Sequence, residues 1–409
     1  MGAADIAWVS VATGLVMLMT PALGFFYAGL VRKKNLASTL AQCMAIFAVV
    51  SLIWTLWGYS LSFGTSINGV IGDLSLFDLN NIEPTTVGRY APNIPELLYF
   101  AFELMFAAIT PALIIGAFAE RIKFSSLLVF TVLWSTLIYS PIAHWIWNDG
   151  GWLRSLGAID FAGGVVIHVT AGLSAIAAAL VVGRRKDFDK RHEFKPSNIP
   201  FVILGAALLW FGWFGFNGGS ALASNEWAVS AIVATNLSAA AALVSWMIVD
   251  WVMKGKPSAV GIAIGSVCGM VAITPASGYV GVPAAIVIGL VAGVISNLVS
   301  NRLMARTGLD DALDVFACHG VSGIWGSIAT GLFASKHINP TGNDGLLYGN
   351  PNLLISQLVA VAVVASFAFV GSYALLRLIN IFSPLRVCQE HEEVGLDLSQ
   401  HGEEAYSTS

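Results

Sequence analysis

Runs of about 20 apolar residues recur along the whole chain, divided by short polar or charged breaks, and few folds accept such a pattern. A bilayer core about 30 Å thick takes about 20 residues of helix, and a helix satisfies its own backbone polar groups where no water is present. Eleven runs are read, at 6–31, 38–63, 97–119, 125–146, 161–183, 199–222, 228–253, 259–279, 281–301, 313–334 and 352–380. The 409 residues are 56% hydrophobic and only 11% charged, against about 25% charged in soluble domains. The expectation is an all-α integral membrane protein of eleven transmembrane helices with no soluble domain left over. The first run, in MGAADIAWVSVATGLVMLMT, lacks the basic stretch of a secretory signal and reads as a retained span.

The basic residues orient the chain. Seventeen of the twenty Lys and Arg follow odd-numbered spans, including Arg32, Lys33, Lys34, Arg121, Lys123 and the run at 184–195. Only Arg89, Arg154 and Lys336 follow even-numbered ones. Positive loops stay inside, so the N-terminus is expected outside and the C-terminus in the cytoplasm. The formal net charge of −4 and the lack of a basic face exclude nucleic acid as a partner. Cys43, Cys268, Cys318 and Cys388 are scattered without metal-ligand spacing and read as small core residues, so neither metal nor cofactor is expected.

Two internal echoes suggest a repeat. Spans one and six share a short pattern, Phe26-Tyr27-Ala28-Gly29 against Phe216-Asn217-Gly218-Gly219, and spans five and ten share His-x-x-x-Gly-[Leu/Ile] at His168 and His319. Two halves of five helices each place the second upside down relative to the first, an inverted repeat at about 6–183 and about 199–334, with an appended eleventh helix at about 352–380. Residues 1–383 then form the membrane domain and 384–409 a cytoplasmic tail.

The same plan locates the chemistry. His168 and His319 lie about eight residues in from opposite faces, roughly 12 Å at 1.5 Å per residue, so both imidazoles approach the midplane. One ring nitrogen of an imidazole accepts while the other donates, and a shared proton between two rings fixes both tautomers. The bland alternative is a pair of satisfied interior histidines. Asp160, before Phe161-Ala162-Gly163-Gly164, reads as a helix N-cap too far from His168 for an ion pair along one helix. Asp314 reads as a cap or inner-face ion pair. Phe102 and Phe106 share a helix face, and Trp147 ends span four, where an interfacial belt and a cation-π vestibule are both open readings. Glu103 is an acid inside span three and needs a partner, a proton or water.

These stretches resemble the ammonium transporter (Amt/Mep/Rh) family, and within it the Amt branch, over nearly the whole length. The resemblance rests on PALGFFYAGLVRKKN at 21–35, FAAITPALIIGAFAERIKF at 106–124, AIDFAGGVVIHVTAG at 158–172, GWFGFNGGS at 212–220 and DDALDVFACHGVSGIWG at 310–326. The tail RVCQEHEEVGLDLSQHGEEAY at 386–406 is similar to the Amt cytoplasmic signature, whose positions here include Gly395, Asp397, His401, Gly402 and Glu403. The resemblance implies an eleven-helix inverted repeat, a homotrimer with one pore per subunit, and a twin-histidine pore at His168 and His319. It implies an outer cation site at Phe102, Phe106, Trp147 and Ser220, gate rings Phe106 and Phe216, and a supporting carboxylate at Asp160. Glu103 stands where glutamine is frequent in the family. A PII-type signal protein at the cytoplasmic face is also implied.

The expected activity is transport of ammonium or ammonia across a plasma or inner membrane. NH4+ is recruited outside, loses a proton near Phe106 and Phe216, and ammonia passes the histidines. An ammonium sensor signalling through the tail is the alternative. An enzyme is disfavoured: Gly320-Val321-Ser322-Gly323 matches the Gly-x-Ser-Gly of rhomboid proteases, but such a string arises easily among 41 glycines.

Overall fold

A computed structural model describes residues 1–406, apart from the side chains of 191–193 and 305. Among the described residues, nine helices are long and apolar enough to cross a membrane: Ala3–Leu30, Lys33–Phe63, Glu96–Phe118, Phe124–Ser155, Gly164–Val182, Ile199–Gly219, Glu226–Lys254, Val282–Met304 and Pro351–Phe382. Ala259–Ile273 is apolar but shorter, and Ser322–Phe333 continues from a π-wound turn, Phe316–Val321. The chain is a multi-pass helical membrane protein. Its helices are apolar on every side because one side meets protein and the other lipid, which leaves Val11, Leu52, Phe211 and Ile381 exposed.

Small residues bring the matched spans together. Ala3–Leu30 and Ile199–Gly219 run antiparallel: Trp8 Nε1 donates to the Gly218 carbonyl at 3.2 Å near one end, and Asn198 N to the Gly29 carbonyl at 3.1 Å near the other. A Cβ at Gly205 would lie 2.4 Å from Phe26 N, and one at Gly215 would lie 2.8 Å from the Ala12 carbonyl. Only a bare Cα admits that approach, as in other membrane helix pairs. The two histidine helices cross in the same way, with a Cβ at Gly172 falling 2.3 Å from Gly320 Cα.

The long connection at 64–95 is tied down by a buried acid. Glu96 accepts from the Tyr59 hydroxyl and, at 2.7 Å, from Arg89 N. A two-residue antiparallel ladder, Ser66–Ile67 with Ile71–Gly72, closes the turn beside it.

The arginine-rich face, at the end of the helices that bears Arg32, Arg121 and Arg185, is organised by acids. Glu120 pairs with Arg32 at 2.8 Å and Arg185 at 3.3 Å, and Asp310 pairs with Arg185 at 2.8 Å. Burial alone would raise both carboxyls, but the arginines outweigh it and hold Glu120 and Asp310 below the ordinary carboxylate range. Arg121 is fully buried and donates to the Gly183, Ala119, Ala117 and Asp310 carbonyls.

The tail is bound to this face. Asp397 accepts from Ala37 N at 3.1 Å and Ser38 N at 2.7 Å at the start of a helix, Leu396 N donates to Asn35, and His401 Nε2 lies 3.2 Å from Ser38 Oγ. Gly395 at φ 112° and Gly402 at φ 70° bracket the segment in conformations that side chains resist, and Glu403 N returns to the Asp397 carbonyl. Cys388 is exposed rather than a core residue, whereas Cys43, Cys268 and Cys318 are buried. Its place on the polar tail, not in a helix bundle, is the reason.

Candidate conduction site

Each histidine sits close to a helix start, nearer than the sequence placed it. The helix carrying His168 begins at Gly164, because Asp160 turns the chain and accepts four backbone N–H groups, from Gly163, Gly164, Val165 and Val166, at 2.7 to 3.1 Å. Its first turn, Gly164–Val169, is π-wound and holds His168. The other histidine turn, Phe316–Val321, is also π-wound and holds His319. Its cap is Asp311, which accepts from Phe316 N at 2.7 Å. The cap role considered for Asp314 belongs to Asp311, since Asp314 has φ 56° and forms part of the turn itself. Burial, helped by the charge of Asp314, pushes the Asp311 carboxyl up to about 7.

The two imidazoles meet in the interior. Nδ1 of His319 lies 3.2 Å from Nδ1 of His168, the rings are 5.3 Å apart and tilted by 22°, and both residues are buried. One shared Nδ1 proton makes one Nε2 an acceptor and the other a donor. His168 Nε2 has no protein partner. Apolar side chains enclose the pair: Leu23, Phe26, Ile109, Leu113, Leu209 and Val267 line a space of only about 10 Å³, close to the smallest that admits one water-sized molecule.

Aromatic rings close one side of the pair. Phe216 stacks on His168 at 6.0 Å, Phe106 lies tilted by 53° against Phe216 at 4.5 Å, and Phe102 meets Phe106 edge-on at 4.8 Å. Trp147 reaches Phe106 at 6.3 Å, and its Nε1 donates to the Asp160 carbonyl, so the acid that starts one histidine helix also fixes this ring. Ser220 Oγ donates to the Phe216 carbonyl at 2.8 Å. Beyond the rings an open cavity of about 550 Å³ is lined by Phe106, Trp147, Asp160 and Ser220, and by Glu103. A second open cavity of about 740 Å³ reaches Asp310, Asp311 and Asp314.

All seven expected residues thus join one run of contacts from the open cavity of about 550 Å³ to the imidazole pair. Trp213, stacked on His168 at 5.5 Å and hydrogen-bonded to Thr274, was not singled out from sequence, although it lies within the GWFGFNGGS stretch. Ser322 is hydrogen-bonded to Ser296 at 2.9 Å while His319 pairs with His168, so no serine–histidine pair exists there.

Residues 7–406 match the model of the Ammonium Transporter Family. The chain is 46% identical to the ammonium transporter Amt1 of Archaeoglobus fulgidus over 98% of this chain and 99% of that one. Its structure is similar to that of Saccharomyces cerevisiae Mep2, with a TM-score of 0.92 at 37% identity, covering 100% of this chain and 92% of that one. It is also similar to a Sensor Amt Protein, with a TM-score of 0.89 at 31% identity, covering 97% of this chain and 98% of that one.

Proposed function

The chain belongs to the Ammonium Transporter Family, and from that premise we propose that it carries ammonium or ammonia across a plasma or inner membrane. The observation that carries this reading is the buried imidazole pair, enclosed by apolar side chains and closed by aromatic rings below an open cavity. A bare monovalent cation pays heavily to enter such a space, whereas neutral ammonia does not. NH4+ docks against Trp147 and Phe106 by cation-π attraction with Ser220 as hydrogen-bond acceptor. Before Phe216 it gives up a proton, which either returns to the water of the outer cavity or follows along the imidazole pair, and NH3 passes His168 and His319, whose free nitrogens offer one acceptor and one donor. Potassium has no proton to lose and no N–H to donate, so the apolar stretch rejects it. Asp160 holds the first turn of its helix and, through its carbonyl, Trp147.

The remaining parts of the reading follow the same premise. Eleven spans arranged as two inverted repeats of five plus a last helix put the N-terminus outside and the tail inside. Residues 1–383 form the transport domain, and 384–409 form a regulatory tail acting through Gly395, Asp397, His401, Gly402 and Glu403. The unit is a homotrimer, a PII-type signal protein is the cytoplasmic partner, and no enzymatic step or cofactor is involved. The similarity to a Sensor Amt Protein supports a second reading, ammonium sensing through the tail.

An ammonium pulse onto proteoliposomes, reading current and internal pH, tests the proposal. The parent is expected to respond above empty liposomes, and His168→Ala and His319→Ala to lose the response or its selectivity over potassium. A folded parent that gives neither signal sinks the transport reading and leaves the sensor.

A further inference from the structure

Most buried acids near the outer face have their oxygens satisfied. Glu96 accepts from Tyr59 and Arg89, and Asp160 from four amides. Glu103 is different. It is 8% exposed, lies three residues before Phe106 on the same helix, lines the outer cavity, and its Oε2 has no hydrogen-bond partner. A carboxyl oxygen so placed is costly unless something in the cavity meets it.

The surroundings leave that place to a ligand. Tyr99, one turn earlier on the same helix, interacts with the carboxyl. From neighbouring elements come Tyr59, whose hydroxyl is given to Glu96, and Tyr139, whose hydroxyl has no hydrogen-bond partner, while Tyr90 stacks on Tyr99 and donates to the Phe63 carbonyl. The charged groups of the cavity are otherwise engaged: Arg154 with Asp149 at 3.0 Å, Arg89 over the Tyr90 ring at 5.4 Å, and Asp160 with its amides. Glu103 therefore faces the cavity immediately outside the rings with no protein cation bound to it.

We propose that Glu103, when ionised, is the counter-charge and second hydrogen-bond acceptor for a small N–H-bearing cation in the outer cavity, so that this site binds more tightly once the acid has lost its proton. The assignment rests on the transport reading above. The aromatic rings supply an attraction that does not change with pH, and Glu103 adds one that does. A charge-assisted N–H···O bond contributes about 1.5–3 kcal/mol, so its loss weakens half-saturation by at least about tenfold.

The test is the half-saturating ammonium concentration for uptake into proteoliposomes, from about pH 5 to about pH 8, where ammonium stays the cation. In the parent it is expected to fall as pH rises. Glu103→Gln, close to isosteric, is expected to be about tenfold weaker at the alkaline end and flat across the range, and Glu103→Asp to keep the slope. An active parent with a flat profile overturns the assignment without any variant, and so does a Glu103→Gln protein that keeps the parent's slope and affinity. In both cases transport itself stands. A folded parent with no uptake removes the transport reading and this assignment with it.

Discussion

Gly172→Ala asks whether the helix crossing sets the imidazole pair. A Cβ at residue 172 would lie 2.3 Å from both Cα and N of Gly320, and ordinary contact starts at 3.4 Å, so 3.4 Å less 2.3 Å leaves the backbones short by about 1.1 Å. The obstacle is backbone, and no rotamer change relieves it. His168 is one turn before Gly172 and His319 is next to Gly320, so a separation of that size acts directly on the pair. It takes the 3.2 Å Nδ1···Nδ1 distance to about 4.3 Å, beyond hydrogen-bond reach. Overpacking of this kind costs about 1–3 kcal/mol of stability. A broken buried hydrogen bond is worth about 0.5–1.5 kcal/mol, a rate loss of about two- to tenfold if the pair guides the solute. Thermal unfolding in detergent and ammonium uptake in proteoliposomes read the two effects separately. A lowered Tm with full uptake would detach conduction from the spacing of the pair. A parent-like Tm and uptake together would refute the crossing argument altogether.

Three further perturbations address the acidic groups of the opposite, arginine-rich face and the tail. Burial raises Asp311 from the usual 3.8 to about 7, so the folded state holds this proton more tightly than the unfolded one. The resulting stabilisation is complete below about pH 4 and is lost as pH rises through about 7, at most about 4 kcal/mol in all, and Asp311→Asn is expected to flatten that part of the Tm profile. Equal slopes in parent and variant would contradict it. Glu120 carries the opposite sign: the arginines lower it, its stabilisation is present above the unfolded value near 4 and fades in acid, and Glu120→Gln is expected to remove that acid-side loss. Asp397→Ala takes away the acceptor for two helix-start amides, about 1 kcal/mol, and is expected to speed proteolysis of the tail about fivefold. An unchanged digestion rate would mean that other contacts hold the tail.

Much of this was open to reading along the chain. A hydropathic run of about 20 residues is a local property, and lipid leaves a backbone there almost no choice but helix, which is why Ala3–Leu30, Ile199–Gly219 and Pro351–Phe382 fall within a few residues of the runs. The motif stretches likewise carried Phe106, Phe216, His168 and His319 to notice. Less could be read at helix starts. The cap at Asp160 was legible from Asp160-Phe161-Ala162-Gly163-Gly164, but hydropathy put the helix start at 161 rather than Gly164, and it cannot see that Asp311 rather than Asp314 caps the tenth run.

What the sequence by itself determined is the solvent this chain folds in, the approximate position of most of its apolar segments, the uneven distribution of its basic residues, and its family. What only the tertiary structure decided is which side chains meet: Nδ1 atoms 151 residues apart brought to 3.2 Å, Trp213 and Phe216 stacked on one imidazole, Trp147 tied to Asp160, and Glu103 Oε2 left without a hydrogen-bond partner beside an open cavity. The division has a physical cause. Burial in lipid acts residue by residue and is written in composition, whereas helix crossings depend on where two distant glycines allow backbones to touch, and neither glycine carries information about the other until the chain is packed.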